Sequence, residues 1–138
     1  MTSADTLQIN MANKREIVLS ISPFRQDHDF LRSVLGRISE VCTCREAVAL
    51  FNREKTAVLI CERDLPDGNW KDILGLIAPV PYPPRLIVTS RLADEHLWSE
   101  VLNLGGYDVL AKPFDVKEVS RVMALARPAK LSLRALAS

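Results

Sequence analysis

The chain has 138 residues, 48% hydrophobic and 25% charged, a composition typical of a globular protein with room for one domain and a sizeable core. Eighteen Lys and Arg against 17 Asp and Glu give a net charge of +1, which supplies no general field for nucleic acid or an anionic membrane. No apolar run approaches the roughly 18 residues of a membrane span, and no basic segment followed by an apolar core opens the sequence. We therefore expect a cytoplasmic protein that binds neither nucleic acid nor membrane.

Short apolar runs alternate with segments of helical periodicity along the chain. Residues 1–13 are polar and aperiodic, which predicts a flexible N-terminal segment before a domain at 14–127 and a C-terminal tail at 128–138. The predicted strands are 17–21, 39–43, 57–62, 86–89 and 107–111, and the predicted helices are 24–38, 45–51, 70–77, 94–104 and 115–126. Strands that are apolar throughout and alternate with helices indicate an α/β domain with a parallel sheet covered on both faces.

Ligand sites in such sheets lie beyond the carboxyl ends of the strands. The residues predicted at those ends are Ser20, Ile21, Glu62, Thr89 and Lys112. The last of these is followed at once by Pro113 and Phe114. We expect this lysine to direct its charge at whatever lies on top of the neighbouring strands.

Three motifs occur in a characteristic order: the turn Leu65-Pro66-Asp67-Gly68 after the third strand, Val88-Thr89-Ser90 closing the fourth, and Gly-x-x-Asp-x-x-x-Lys-Pro-Phe at 105–114. Together they resemble the receiver domain of two-component response regulators over about residues 15–127. The resemblance implies a single-domain, flavodoxin-like (βα)5 fold with strand order 2-1-3-4-5. It also implies a cis peptide between Lys112 and Pro113.

In that family, an acidic pair after strand one and an aspartate after strand three hold Mg²⁺, and the aspartate accepts a phosphoryl group. On this sequence, Glu62 falls at the phosphoacceptor position and Ser20 and Ile21 fall at the acidic pair. Thr89 and Lys112 match the retained hydroxyl and lysine. The aromatic switch position falls on Val109.

The altered positions predict a pseudo-receiver that uses no metal or other cofactor and is not an enzyme. With Ser20 and Ile21 in place, Glu62 alone is expected to face Lys112, as a balanced pair that needs no metal. Glu62 is also one methylene longer than aspartate, which suggests a domain locked in one state, with a mimic of the activated state as the specific hypothesis. A solvated strand-end residue without signalling meaning is the plainer interpretation.

Other residues allow other interpretations. A working phosphorelay receiver would use Asp64 or Glu62 as phosphoacceptor, whereas a nucleotide- or flavin-binding protein would need a glycine- or Ser/Thr-rich loop that is absent after strand one. The run Asp27-His28-Asp29 is interpreted as the start of a helix, because adjacent helical residues point in different directions. The cysteines at 42, 44 and 61 suit buried reduced thiols better than a disulfide framework or a metal site.

The fourth helix carries more apolar residues than the sheet needs. Leu97, Val101 and Leu104 suffice to cover the sheet, and Trp98 and Leu102 form a second apolar pair at i, i+4. An exposed tryptophan beside a leucine is typical of an interface, although Trp98 packed under a loop is the alternative. We expect a sensor kinase, an output protein or a second copy to bind at helix 4, strand 5 and helix 5.

Overall fold

The computed structural model describes residues 17–127; the predicted flexible segment 1–13 and the tail 128–138 lie outside the described residues. Strands and helices alternate in the order β1 (Ile17–Ile21), α1 (Arg25–Leu35), β2 (Ser39–Val41), α2 (Cys44–Arg53), β3 (Thr56–Glu62), α3 (Trp70–Ile77), β4 (Arg85–Ser90), α4 (Glu95–Leu104), β5 (Asp108–Ala111) and α5 (Val116–Ala126). The strands form one parallel sheet in the order β2-β1-β3-β4-β5. The predicted fold and strand order are confirmed.

The core consists of two apolar layers, one on each face of the sheet. Alternate residues of β1 point to opposite layers: Leu19 and Ile21 pack with α2, α3 and α4, whereas Val18 packs with α1 and α5. Burial on both faces explains why the strands are apolar throughout rather than alternating. It also directs the Ile21 side chain into the core rather than towards the edge of the sheet.

Glycines fix the ends of two helices, and one of these ends differs from the sequence prediction. Helix α1 ends at Leu35, three residues early, since Gly36 adopts a φ of 82°. Helix α4 ends at Leu104 as predicted, before Gly105 with a φ of 109°. Leu97 and Val101 are buried against the sheet, but Leu104 lies at the fraying end of the helix and is exposed, so its predicted role in covering the sheet is wrong.

A two-stranded hairpin that the sequence analysis did not predict follows β3. Residues Asp64–Leu65 pair with Gly68–Asn69 in antiparallel fashion, across the Pro66-Asp67 turn. The Asp67 carboxylate accepts the backbone N–H groups of Cys44 and Arg45 at 2.7 and 3.0 Å. The hairpin is therefore fastened to the first turn of α2.

The cysteines are all free, but they are not all buried. Cys61 is buried and Cys44 half-buried, whereas Cys42 is exposed on the short loop before α2, which corrects the expectation of buried thiols. Burial, followed by the nearby Asp67 charge, raises the pKa of the Cys44 thiol to about 11. Between residues 17 and 127, none of the helices is long and apolar enough to span a bilayer.

Candidate functional site

Lys112 lies beyond the carboxyl end of β5 and points across the ends of the neighbouring strands. Its backbone N–H donates to the Ser90 carbonyl at 3.0 Å, and the Lys112–Pro113 peptide is cis, as expected. The ammonium nitrogen Nζ lies 2.7 Å from Asp27 Oδ2 and 2.5 Å from Glu62 Oε1. The Phe24 ring covers it from outside, 4.8 Å from Nζ to the ring centroid. The lysine side chain is 6% exposed, so this ammonium is held between two carboxylates almost out of water.

Glu62 is the last residue of β3 and is turned inward over the strand ends. It pairs in register with Thr89 of β4, whose hydroxyl donates to Glu62 Oε1 at 3.1 Å. Both residues are buried. The structure thus brings together three of the residues predicted for the pocket: Glu62, Thr89 and Lys112.

Asp27 is the pocket residue that the sequence analysis missed. It lies in the first turn of α1, where the helix dipole favours a negative charge, and it is buried. The Ser22 hydroxyl donates to its Oδ2 at 2.6 Å. The pocket therefore holds two carboxylates around one ammonium, which corrects the expected balanced pair of Glu62 and Lys112. Its position shortly after the end of β1 is the signal that could have identified it, because the first turn of a helix that follows a parallel strand lies over the strand ends.

His28 joins the strand end to the helix on the other side of Asp27. Its Nε2 donates to the Ser22 carbonyl at 2.8 Å, since a carbonyl can only accept. Its Nδ1 lies 2.8 Å from the Ser20 hydroxyl. Ser20 therefore faces His28, and Ile21 is fully buried in the core. Just after β1, the Ser22 hydroxyl bonds the Asp27 carboxylate, which in turn contacts the Lys112 ammonium.

Asp29, the third member of that run, lies outside the pocket. Its carboxylate is half-exposed and forms ion pairs with Arg25 and Arg32 on the outer face of α1. The expectation that adjacent residues point apart holds for Asp29. Asp27 and His28 are both buried, and they too contact different groups: Asp27 the Lys112 ammonium and His28 the Ser20 hydroxyl.

The residues present do not fit the Mg²⁺ that the fold family implies. Magnesium takes hard oxygen ligands in near-octahedral geometry. The two carboxylates of the pocket converge on the Lys112 ammonium instead, and Ile21 offers only carbon. Within residues 17–127, no cluster of three or more His, Cys, Asp or Glu side chains could hold a metal ion.

Asp64, the alternative phosphoacceptor, lies on the hairpin and pairs with Arg63. Its side chain is 68% exposed, and its Oδ2 accepts from Arg63 Nε at 3.0 Å. Val109, at the switch position, packs at the edge of the apolar layer formed with α4. It also lines a groove of about 360 Å³ between α4 and α5.

The same groove is bordered by Trp98, one of the predicted interface residues. Trp98 is 49% exposed and Leu102 is 36% exposed, so the tryptophan is not packed under a neighbouring loop. The groove also contains four carboxylates and one guanidinium, from Asp94, Glu95, Asp108, Glu118 and Arg121.

Comparison with known proteins supports the fold assignment. A probable transcriptional regulatory protein, y4xI, of Sinorhizobium fredii is 31% identical over 109 residues, which cover 73% of this chain and 48% of that protein. The receiver domain of the Francisella response regulator 1452 superposes with a TM-score of 0.71 at 22% identity, covering 84% of this chain and 100% of that domain. The beryllofluoride-activated NtrC4 receiver domain, solved in solution as a dimer, gives a TM-score of 0.75 at 20% identity, covering 82% of this chain and 97% of that one.

These similarities define the class of fold, which is that of response-regulator receiver domains. The chain spans about half the length of the curated relatives it matches, and these are transcriptional regulatory proteins. No family model matches the chain.

Proposed function

We propose that the chain is a response-regulator receiver domain that acts in signal transduction by binding another protein, without needing phosphorylation. The observation that carries the proposal is the state of Glu62. Its carboxylate already contacts the Lys112 ammonium and the Thr89 hydroxyl, the two groups retained from the family pattern. An acceptor that is already engaged by the protein leaves little room for an incoming phosphoryl group.

The cluster also supports a domain held in one state. Asp27 fixes Lys112 from the helix side while Glu62 fixes it from the sheet side. Removing either carboxylate would leave the buried lysine short of a partner, and unpaired buried charges are costly. The proposed module therefore presents a constant surface to its partner rather than switching with phosphorylation, and it turns over no substrate.

The binding face is proposed to be α4, β5 and α5, where Trp98 and Leu102 are partly exposed. A sensor kinase, an output protein or a second copy would bind there. The NtrC4 receiver domain is described as a dimer, which makes a second copy a reasonable first test.

Intact-mass measurement after incubation with acetyl phosphate and Mg²⁺ tests the proposal. We expect no phosphorylated species for the wild type. A stable phosphoryl adduct would contradict the proposal and favour a working phosphorelay receiver. The Asp64→Asn and Glu62→Gln variants would then identify the acceptor, because the adduct disappears from the variant that lacks it.

A further inference from the structure

The groove between α4 and α5 is strongly acidic, although the whole chain is nearly neutral. It has four carboxylates and one guanidinium among its lining groups, a local charge of about −3. Glu95 and Glu118, on its two walls, form no ion pair within residues 17–127. Trp98 adds a half-exposed aromatic side chain. A partner that fills this groove should therefore bring positive charge and an apolar side chain.

This charge disfavours a symmetric dimer through the groove. In an isologous contact the same patch lies on both subunits, so the acidic walls of one copy would face those of the other. Like charges brought together across an interface are costly and suppress the pairing. A second copy could occupy the groove only through a different, basic surface.

Such a surface lies at the opposite edge of the sheet, where the strands begin. The cations there are Arg37 before β2, Arg53 at the end of α2, Arg85 at the start of β4, and Arg127 after α5. Between residues 17 and 127, this edge also carries two carboxylates, Glu54 before β3 and Asp108 at the start of β5. We call this set of four arginines, together with Tyr82, the basic pole. Cations at helix carboxyl ends offset the helix dipole, which accounts for Arg53 and Arg127. Arg85 packs its guanidinium over the Tyr107 ring, 4.7 Å from the ring centroid, and is half-buried.

Among the large hydrophobic and aromatic side chains of residues 17–127, that of Tyr82 is the most exposed. It lies between Pro81 and Pro83 in the connection from α3 to β4 and is 97% exposed. Its backbone has a φ of 55°, a left-handed conformation that is uncommon for a non-glycine residue. A fully exposed tyrosine on a proline-stiffened loop costs little entropy to bury, and tyrosine and arginine are enriched at the energetic centres of interfaces.

We propose that the groove between α4 and α5 binds the basic pole of a second copy of this chain, with Tyr82 seated beside Trp98. The contact is head-to-tail, so each copy offers one groove and one pole. It rests on the proposed function, because it specifies the partner of the same α4, β5 and α5 face.

Sedimentation velocity of two complementary variants tests this contact. The pole variant carries Arg53→Glu and Tyr82→Ala, and the groove variant carries Glu95→Lys and Glu118→Lys. Wild type should associate progressively with concentration at about 0.05 M salt and dissociate at about 0.5 M, because screening weakens contacts between exposed charges. Each variant alone should remain monomeric. An equimolar mixture should form 1:1 dimers and nothing larger, since it contains only one functional pole and one functional groove per pair.

Arg45→Glu provides the matched control, because Arg45 is an exposed arginine at the other edge of the sheet, in the first turn of α2. It should associate like the wild type, and circular dichroism should show that every variant is folded. A wild type that stays monomeric at low salt would overturn the head-to-tail contact. So would a pole variant that dimerises as well as the wild type, a result that would leave the α4, β5 and α5 face in place as a symmetric interface. The acetyl phosphate experiment reports on the proposed function separately.

Discussion

Replacing Lys112 with methionine should destabilise the domain far more than removing a surface lysine. The substitution keeps the length of the side chain but removes the ammonium that contacts Asp27 at 2.7 Å and Glu62 at 2.5 Å. Both carboxylate oxygens touch the same nitrogen, so they lie at most about 5 Å apart, and at an effective dielectric constant of about 20 their repulsion is about 3 kcal/mol. Breaking a buried pair by removing one partner costs about 3 to 5 kcal/mol in other proteins. We therefore expect Lys112→Met to lower the free energy of unfolding by about 3 kcal/mol.

Urea denaturation at pH 7 measures this loss, and Lys71→Met is the matched control. Lys71 Nζ lies 2.6 Å from Glu100 Oε2, a similar distance, but the two side chains are 51% and 31% exposed. Exposed pairs contribute less than about 1 kcal/mol, so the control should stay near the wild type. Adding Glu62→Gln to Lys112→Met should recover part of the loss, because the two residues interact directly. Equal effects of Lys112→Met and Lys71→Met, or strictly additive effects of the pocket substitutions, would refute the buried cluster.

Three further predictions concern the pocket, the cysteines and the hairpin after β3. Millimolar Mg²⁺, with or without beryllofluoride, should leave the melting temperature unchanged, because the pocket carboxylates are bound to an ammonium; a saturable Mg²⁺-dependent shift would contradict this. Iodoacetamide at pH 8, with the reaction followed by mass spectrometry, should modify the exposed Cys42 before Cys44, because a pKa of about 11 leaves only about one Cys44 thiol in a thousand ionised. Equal modification rates at Cys42 and Cys44 would contradict the raised pKa of Cys44. Asp67→Ala should lower the melting temperature at pH 7, because the backbone N–H groups that lower the pKa of the Asp67 carboxyl stabilise its ionised form in the folded state. The difference in melting temperature from the wild type should persist above about pH 4 and vanish as the pH falls through the lowered folded-state pKa. A difference that instead grew in acid would show that Asp67 acts in another way.

The fold was predictable because its signals are local and repeat along the chain. Five apolar runs with helices between them determine a parallel sheet, and the helix and strand ends moved by at most three residues where the structure differed. The hairpin after β3 was missed because its two-residue strands are too short to show any periodicity. Leu104 was misplaced because periodicity identifies a helix face but not where the supporting sheet ends beneath it.

The charge distribution could not be predicted from composition. A net charge of +1 is compatible with an even mixture of charges or with two opposite poles, because composition carries no positions. The fold gathers the starts and the ends of the strands at separate edges of the sheet. Here four arginines lie at the edge where the strands begin, and four carboxylates line the α4 and α5 groove. The position of each charge on the surface therefore depends on the tertiary structure, which composition does not carry.

The pocket was predicted in part because the sequence analysis considered strand ends and not helix starts. Glu62, Thr89 and Lys112 all lie at strand ends and were identified, whereas Asp27 enters from the first turn of α1. Ser20 and Ile21 stand at the positions of the acidic pair, and the next residue, Ser22, donates its hydroxyl to Asp27. The second carboxylate of the pocket thus comes from the helix, and from there it reaches the lysine directly. Both carboxylates of the pocket thus bind the Lys112 ammonium, which occupies the space between them. This is the physical reason to expect a pocket in which a cationic side chain takes the place of a metal ion.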